Sequence, residues 1–453
     1  MHEKRLKKYE KILTENPQLA RVCKSTEQLG EDILGKSAWY VLAPSLNIFV
    51  IWTLQQATEK QIKRLYFMAR DGYLMFKIAK KICEEMKLDI ECRYFYSSRF
   101  SLRTALYHLD LEQALDYICA YGLETSLEVI LDRTGLDKSK QAEIIRNLNI
   151  GLGANEDIPF SRIKEVRQSL AECELFTSAL MEHSKSLTPA LLGYLRQEGM
   201  LDDVKSALVD SGWVGSTQKT INQALSQLGA KKEVTGLYWG LFYLPSKKDQ
   251  KDYYSYYFEP KGSIKEKIYF SNSLFEAIFT APHGSTTGYG LTEGKYIPIY
   301  LESQKEKVDF TQKLEKVLLH YTELLLMDIN EIGEIDTLRA KKTIYQLLRL
   351  FMGKPTQEEA EYFGNLIFSD AVDEKKIQRI ATSFSDADVR GYQLIFRVLT
   401  MLGFRRAGIK VSGWAEGSMV LYGKRVNYHL LQLSLYKRLS FVRMKLLWKL
   451  RKQ

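Results

Sequence analysis

Cysteine is scarce and scattered. Five occur in 453 residues, Cys23, Cys83, Cys92, Cys119 and Cys173, with no Cys-x-x-Cys pair and no histidine at ligand spacing. An odd, dispersed set excludes a disulfide framework and argues against a protein-held metal site, and it suits a reducing compartment. Long apolar runs are missing too. The best window, Leu46 to Leu54, falls short of the ~20 residues a membrane span needs, and Asn47 interrupts it, so it reads as part of a buried amphipathic helix. Met1 to Glu15 is charged and holds no apolar core, so no secretory signal is expected. No zinc-finger, RNA-recognition or helix-turn-helix signature is present, and no nucleic-acid partner is expected. There is no internal repeat and no low-complexity tract. The localisation these absences predict is cytoplasmic.

What is present is a globular composition, 45% hydrophobic and 26% charged, in a chain long enough for two to four domains. The net charge of +10 favours anionic partners: a phosphorylated substrate or an acidic membrane face. The 27 tyrosines suit carbohydrate stacking, although most are expected in the core or at its rim.

Residues 1–37 read as a polar helical arm, and Trp39 to Thr58 as an apolar helix. The run Arg64 to Ala69 reads as a buried strand, Tyr73 to Met86 as a helix with Leu74, Ile78 and Ile82 on one stripe, and Ile90 to Tyr96 as a second strand. Strand, loop, helix, strand is a βαβ unit and predicts a parallel sheet. Helical periodicity then dominates 109–199, a helical insertion. The sheet returns with strands at Lys205 to Val209, Val234 to Leu244 and Tyr253 to Phe258, and a helix at Gln218 to Leu228. Pro282 to Gly290 reads as a loop, and the chain from Val308 on as helical. The organisation predicted is an α/β domain over 38–108 and 200–295, and a helical C-terminal region over 300–453.

Two loops carry the chemistry. The first follows the expected strand end at Val209 and runs from Asp210 to Thr217. Ligands of open α/β sheets bind beyond the carboxyl ends of the strands, and a helix N-terminus attracts phosphate. Gly215 lets the backbone approach closely, Ser216 and Thr217 supply hydroxyls, and Asp210 can accept hydrogen bonds from sugar hydroxyls. The second loop is Phe67 to Gly72. Arg70 suits diphosphate because a guanidinium makes paired bonds to phosphate oxygens. Gly72 is expected to permit an unusual turn. Arg99 and Arg103 follow the next strand and can add charge at the same mouth.

The segment Ala207 to Gln218 resembles the diphosphoribosyl-binding signature of type I phosphoribosyltransferases: an apolar strand, two acids, a short spacer and a Thr-Gly-x-Thr cradle. Asp210 sits at the first acid, and Gly215 and Thr217 fit the cradle. Ser211 replaces the second acid, and Val214 stands where a threonine is usual. Three phrases, Arg70-Asp71-Gly72-Tyr73, Val209 to Ser216 and Phe275 to Thr286, occur together and are similar to a narrower family found with bacterial capsule and O-antigen assembly genes. That family is often labelled as haloacid-dehalogenase-type hydrolases because relatives carry such a domain. The likeness covers about residues 40–289.

The resemblance implies a type I phosphoribosyltransferase-like parallel sheet. It implies a glycosyltransferase that moves ribofuranosyl 5-phosphate from 5-phosphoribosyl diphosphate to a sugar hydroxyl of a polysaccharide or lipid-linked glycan. Arg70, the amides around Gly72 and a Mg²⁺ ion bound mainly through the substrate would hold the diphosphate. Gly215, Ser216 and Thr217 would hold the 5-phosphate, with Ser211, Gly212, Arg99 and His283 lining the donor site. Asp210 would contact the ribose. Asp71 and Glu276 are the general-base candidates, and attack opposite an α-linked leaving group gives a β-ribofuranoside. The chain lacks a dehalogenase signature: position 212 is Gly in Asp210-Ser211-Gly212, and Asp386-Ala387-Asp388 follows no strand and reads as a helix cap. A separate phosphatase would remove the 5-phosphate. The alternatives are a nucleotide-forming phosphoribosyltransferase and a non-catalytic assembly factor.

Leu430 to Lys452 mixes apolar residues with Lys437, Arg438, Arg443, Lys445, Lys449, Arg451 and Lys452 and holds no acid. It reads as a basic amphipathic segment, expected to contact the inner face of the membrane.

Overall fold

The apolar run 64–68 forms β1 (Arg64–Met68), buried at every position. A strand like this needs cover on both faces, and its alternating side chains divide between them. Leu65 and Phe67 enter one hydrophobic core, and Tyr66 and Met68 enter a second. β2 (Glu91–Phe95), β3 (Ser206–Trp213), β4 (Thr235–Leu241) and β5 (Tyr253–Phe258) complete a sheet ordered β2-β1-β3-β4-β5. Every pairing in it is parallel. The structure is a computed structural model and describes residues 3–25, 30–122, 125–231, 233–245, 251–327, 329–368, 378–402 and 410–450.

Helix Gly72–Glu85 joins β1 to β2, and helix Ser216–Gln227 joins β3 to β4. The first core is closed by residues 33–59 and helices Gly72–Glu85, Lys305–Leu326 and Thr337–Phe351. The second is closed by Arg99–Thr104, the end of Glu174–Gln197, and Ser216–Gln227. The protein is therefore α/β, with helices on both faces of a parallel sheet. Between β2 and β3 the chain makes a long helical excursion with its own core, drawn wholly from residues between Tyr107 and Leu180.

Four features differ from the sequence reading. β3 does not stop at Val209. It runs on to Trp213, pairing Gly212 with Gly240 and Trp213 with Leu241 of β4, while its pairing with β1 ends at Val209. Pro282 to Gly290 is only in part a loop, because Thr286–Thr292 and Lys295–Tyr300 form an antiparallel hairpin. Glu293 and Gly294, both at positive φ, turn it. Tyr289 stacks on Tyr194 at 4.3 Å and fastens the hairpin to the helical excursion.

The N-terminal segment is not a free arm where it is described; residues 1–2 and 26–29 lie outside the described residues. Arg5 and Tyr9 of helix Glu3–Leu13 both bond the buried Glu359 carboxylate, at 2.8 and 2.6 Å. Lastly, Ile33–Glu59 is a continuous helical stretch of 27 residues, long and apolar enough to cross a membrane. Its most apolar window is wholly buried within the protein.

Candidate functional site

From β1 the chain crosses to β2 on one side, then returns to β3 on the other, so the sheet has its switch point between β1 and β3. Connections leaving adjacent strands in opposite directions open a crevice at their carboxyl ends. Here β3 outruns its pairing with β1, so Asp210 to Trp213 border that crevice with one backbone edge unpaired by β1.

Asp71 stands at the β1 side. It precedes helix Gly72–Glu85 but makes no side-chain cap bond to it. Its Oδ2 accepts instead from the hydroxyl of Ser211, across the switch point. Ser211 itself is buried. Asp210 is next in the strand, so its side chain takes the opposite face. The Ser211 backbone N–H donates to Asp210 Oδ1 at 2.9 Å. Burial, then the charge of Asp71, pushes the Asp210 carboxyl up to about 7.

Glu276, on helix Asn272–Ile278, accepts from Trp213 Nε1 at 2.5 Å. Burial and again Asp71 push it up to about 7. Burial also raises Asp71, against the pull of Ser211, Arg70, Arg99 and Lys307. Three carboxyls thus share one site, and Arg99, an exposed residue that opens helix Arg99–Thr104, acts on all of them. Groups driven this far toward neutrality in a cleft are suited to holding and moving protons near pH 7.

Two glycines shape the backbone between Asp210 and helix Ser216–Gln227. Gly212 and Gly215 both take positive φ, +102° and +70°. A side chain at 212 would meet the Gly240 carbonyl at 2.8 Å, and one at 215 the Tyr253 ring at 2.6 Å. Gly215 precedes helix Ser216–Gln227 and has no side chain to cap it, so the first-turn N–H groups face the crevice end uncapped. Arg103 donates to Ser216 Oγ at 2.8 Å and lies on the Tyr117 ring at 4.2 Å. It is half-buried with no carboxylate paired to it among the described residues, and burial lowers its pKa. Thr217 is on the same first turn.

The sequence-derived residues therefore converge in the main: Arg70, Asp71, Arg99, Asp210, Ser211, Gly212, Gly215, Ser216, Thr217 and Glu276 border one crevice. The Ala69–Arg70 peptide bond is cis. Gly72 is not at an unusual turn. Its role is room, since a side chain there would press on Phe67 at 3.0 to 3.2 Å. Asp210 lies inside a strand and not in a loop. His283 is occupied structurally, with Nε2 bonded to the Tyr94 hydroxyl at 2.7 Å and Nδ1 to the Gly284 carbonyl at 2.8 Å, so it positions its loop. Trp213 is an anchor, packed on Phe258 and Phe270 and holding Glu276. Asp388 is a helix cap residue paired with Ser385.

Sequence reading missed Lys307, whose charge reaches Asp71 from the start of helix Lys305–Leu326, because nothing local marks it. Among the described residues, no group of three or more His, Cys, Asp or Glu side chains is arranged to hold a metal ion. The site defines a doubly wound α/β protein with a switch-point crevice of acids and arginines. No protein-family model matches the chain, and no curated protein matches it.

Proposed function

We propose that the protein is a transferase that moves ribofuranosyl 5-phosphate from 5-phosphoribosyl diphosphate to a sugar hydroxyl of a glycan, releasing diphosphate. The observation that carries this reading is a run of cations from the acids to a helix start. The charges of Arg70 and Arg99 act on Asp71 and Glu276, and Arg103, one turn on from Arg99, bonds Ser216 at the uncapped start of helix Ser216–Gln227. The donor has that layout: a diphosphate at C1, a phosphate at C5, and a hydroxylated ring between.

In this reading Arg70 and Arg99 take the diphosphate, and Ser216, Thr217 and Arg103 take the 5-phosphate. Asp210 accepts from the ribose hydroxyls. As the bond from C1 to the diphosphate oxygen breaks, a bond from C1 to the acceptor oxygen forms, and the hydroxyl proton passes to Asp71 or Glu276. A carboxyl near 7 is matched to that task. A Mg²⁺ ion would be held mainly through the substrate phosphates and would neutralise the leaving diphosphate. The fold is proposed to be phosphoribosyltransferase-like, the protein cytoplasmic, the acceptor lipid-linked or polymeric, and the 5-phosphate left for a separate phosphatase.

The test measures diphosphate release from 5-phosphoribosyl diphosphate with Mg²⁺, with and without a dye- or lipid-linked glycan, for wild type and Asp210→Ala. Acceptor-dependent release abolished by Asp210→Ala is the expected result. Release that depends on a free nucleobase would make the protein a nucleotide-forming enzyme. Donor that fails to bind removes the proposal.

A further inference from the structure

Helix Val426–Leu450 lies on the protein with one face buried and the opposite face bare. Leu433 is buried, Lys437 pairs with Glu416 at 2.6 Å, and Phe441 stacks on Phe242 at 6.0 Å. On the other side Leu431, Leu435, Leu439, Val442 and Leu446 are 37% to 56% exposed. At 3.6 residues per turn these five fall within an arc of about 80°, pointing away from the body. Such a run is not the scattered exposure ordinary on a surface.

The rims of this stripe are cationic. Arg438 and Lys445 lie along one edge and Arg443 along the other, all exposed. No acid occurs between Leu430 and Leu446. Helix Leu394–Met401 packs beside it through Gln432, Tyr436 and Arg443, and Ile395 and Leu402 are exposed there as well. Helix Ile264–Ile268 packs against helix Val426–Leu450, and its Lys265 and Glu266 line a cavity of about 710 Å³. That cavity is lined by Lys265, Lys341, Lys342, Arg349 and Lys354, with Glu266 as its one acid. Arg451 and Lys452 lie outside the described residues.

We infer that helix Val426–Leu450 docks flat on an anionic lipid bilayer, its leucine stripe at the acyl boundary and its basic rims and neighbouring cavity on lipid phosphates. A second copy of the chain is the less favoured occupant, since it would set one cationic rim against another. Docking would also set the crevice end of the sheet toward the membrane. Phe242, on which Phe441 stacks, follows β4 and bonds the Trp213 carbonyl at 2.8 Å. The inference stands on the stripe and its charge, independently of the reaction proposed above.

The experiment is co-sedimentation of the full chain with phosphatidylcholine vesicles, with and without phosphatidylglycerol, alongside light scattering of the free protein. Wild type should partition onto the anionic vesicles only. Leu435→Asn/Leu439→Asn, both outward-facing, should lower partition at least about tenfold with an unchanged melting temperature. Arg438→Ser/Lys445→Ser should lower it about fivefold per charge at low salt. Absent binding, equal binding to neutral vesicles, or binding that survives the leucine substitutions would each overturn the inference. So would a dimer in free solution that these substitutions dissolve.

Discussion

Asp210→Asn should stabilise the protein at alkaline pH while abolishing its activity. Asparagine keeps the Oδ1 that accepts from the Ser211 N–H, so the local backbone has no reason to move. What disappears is a charge that burial and Asp71 oppose. A carboxyl moved from an ordinary 3.8 to about 7 carries an ionisation cost of ~4 kcal/mol, at about 1.4 kcal/mol per pH unit. Asp210 is not fully enclosed and shares its repulsion with Asp71, so about half of this, ~2 kcal/mol, is the expected gain. The direction with pH follows from proton counts. Below 3.8 folded and unfolded chains are both protonated and nothing is lost. Between 3.8 and about 7 the unfolded chain releases a proton that the folded one retains, so wild-type stability falls as pH rises. Above that window the loss is constant. Urea unfolding followed by tryptophan fluorescence at pH 5 and pH 8 should show Asp210→Asn ahead of wild type by ~2 kcal/mol at pH 8 and by much less at pH 5. An advantage that is equal at both pH values, or absent at pH 8, would refute the reasoning.

Other outcomes follow from single contacts. Arg103→Met removes a half-buried cation with no carboxylate partner among the described residues. Donor affinity by calorimetry should fall about 10- to 100-fold, the range of a charge-assisted bond, with stability equal or higher. Trp213→Phe takes away the indole donor to Glu276, so the acid limb of the diphosphate-release profile should move up by about 1 pH unit. Glu359→Gln leaves Arg5 buried without its counter-charge and should cost about 3–5 kcal/mol in urea unfolding.

The parallel sheet was legible because strands covered on both faces must be short and apolar, as 64–68 and 253–258 are. The place of Asp71 was legible as well, since it sits where β1 hands over to helix Gly72–Glu85. The end of β3 was not. Asp210, Ser211 and Gly212 have the composition of a turn, and only their pairing to β4 makes them strand. Nor could the sequence reveal that Ser211, standing where the likeness expects an acid, would donate to Asp71 140 residues away. Long-range geometry also explains His283, a plausible ligand by type that the tyrosines around it turn into a brace.

The Arg5–Glu359 clasp has a consequence for how the chain is made. Helix Glu3–Leu13 leaves the ribosome long before its partner, since the carboxylate it needs is synthesised 354 residues later. At ~5–20 residues per second, that delay is roughly 20–70 s. Throughout it Tyr9 and Leu13, both fully buried in the finished protein, lack the cover that helix Thr337–Phe351 later supplies. The nascent helix is therefore a natural client for a holding chaperone, and a chain cut before helix Gln357–Gly364 would keep that need permanently.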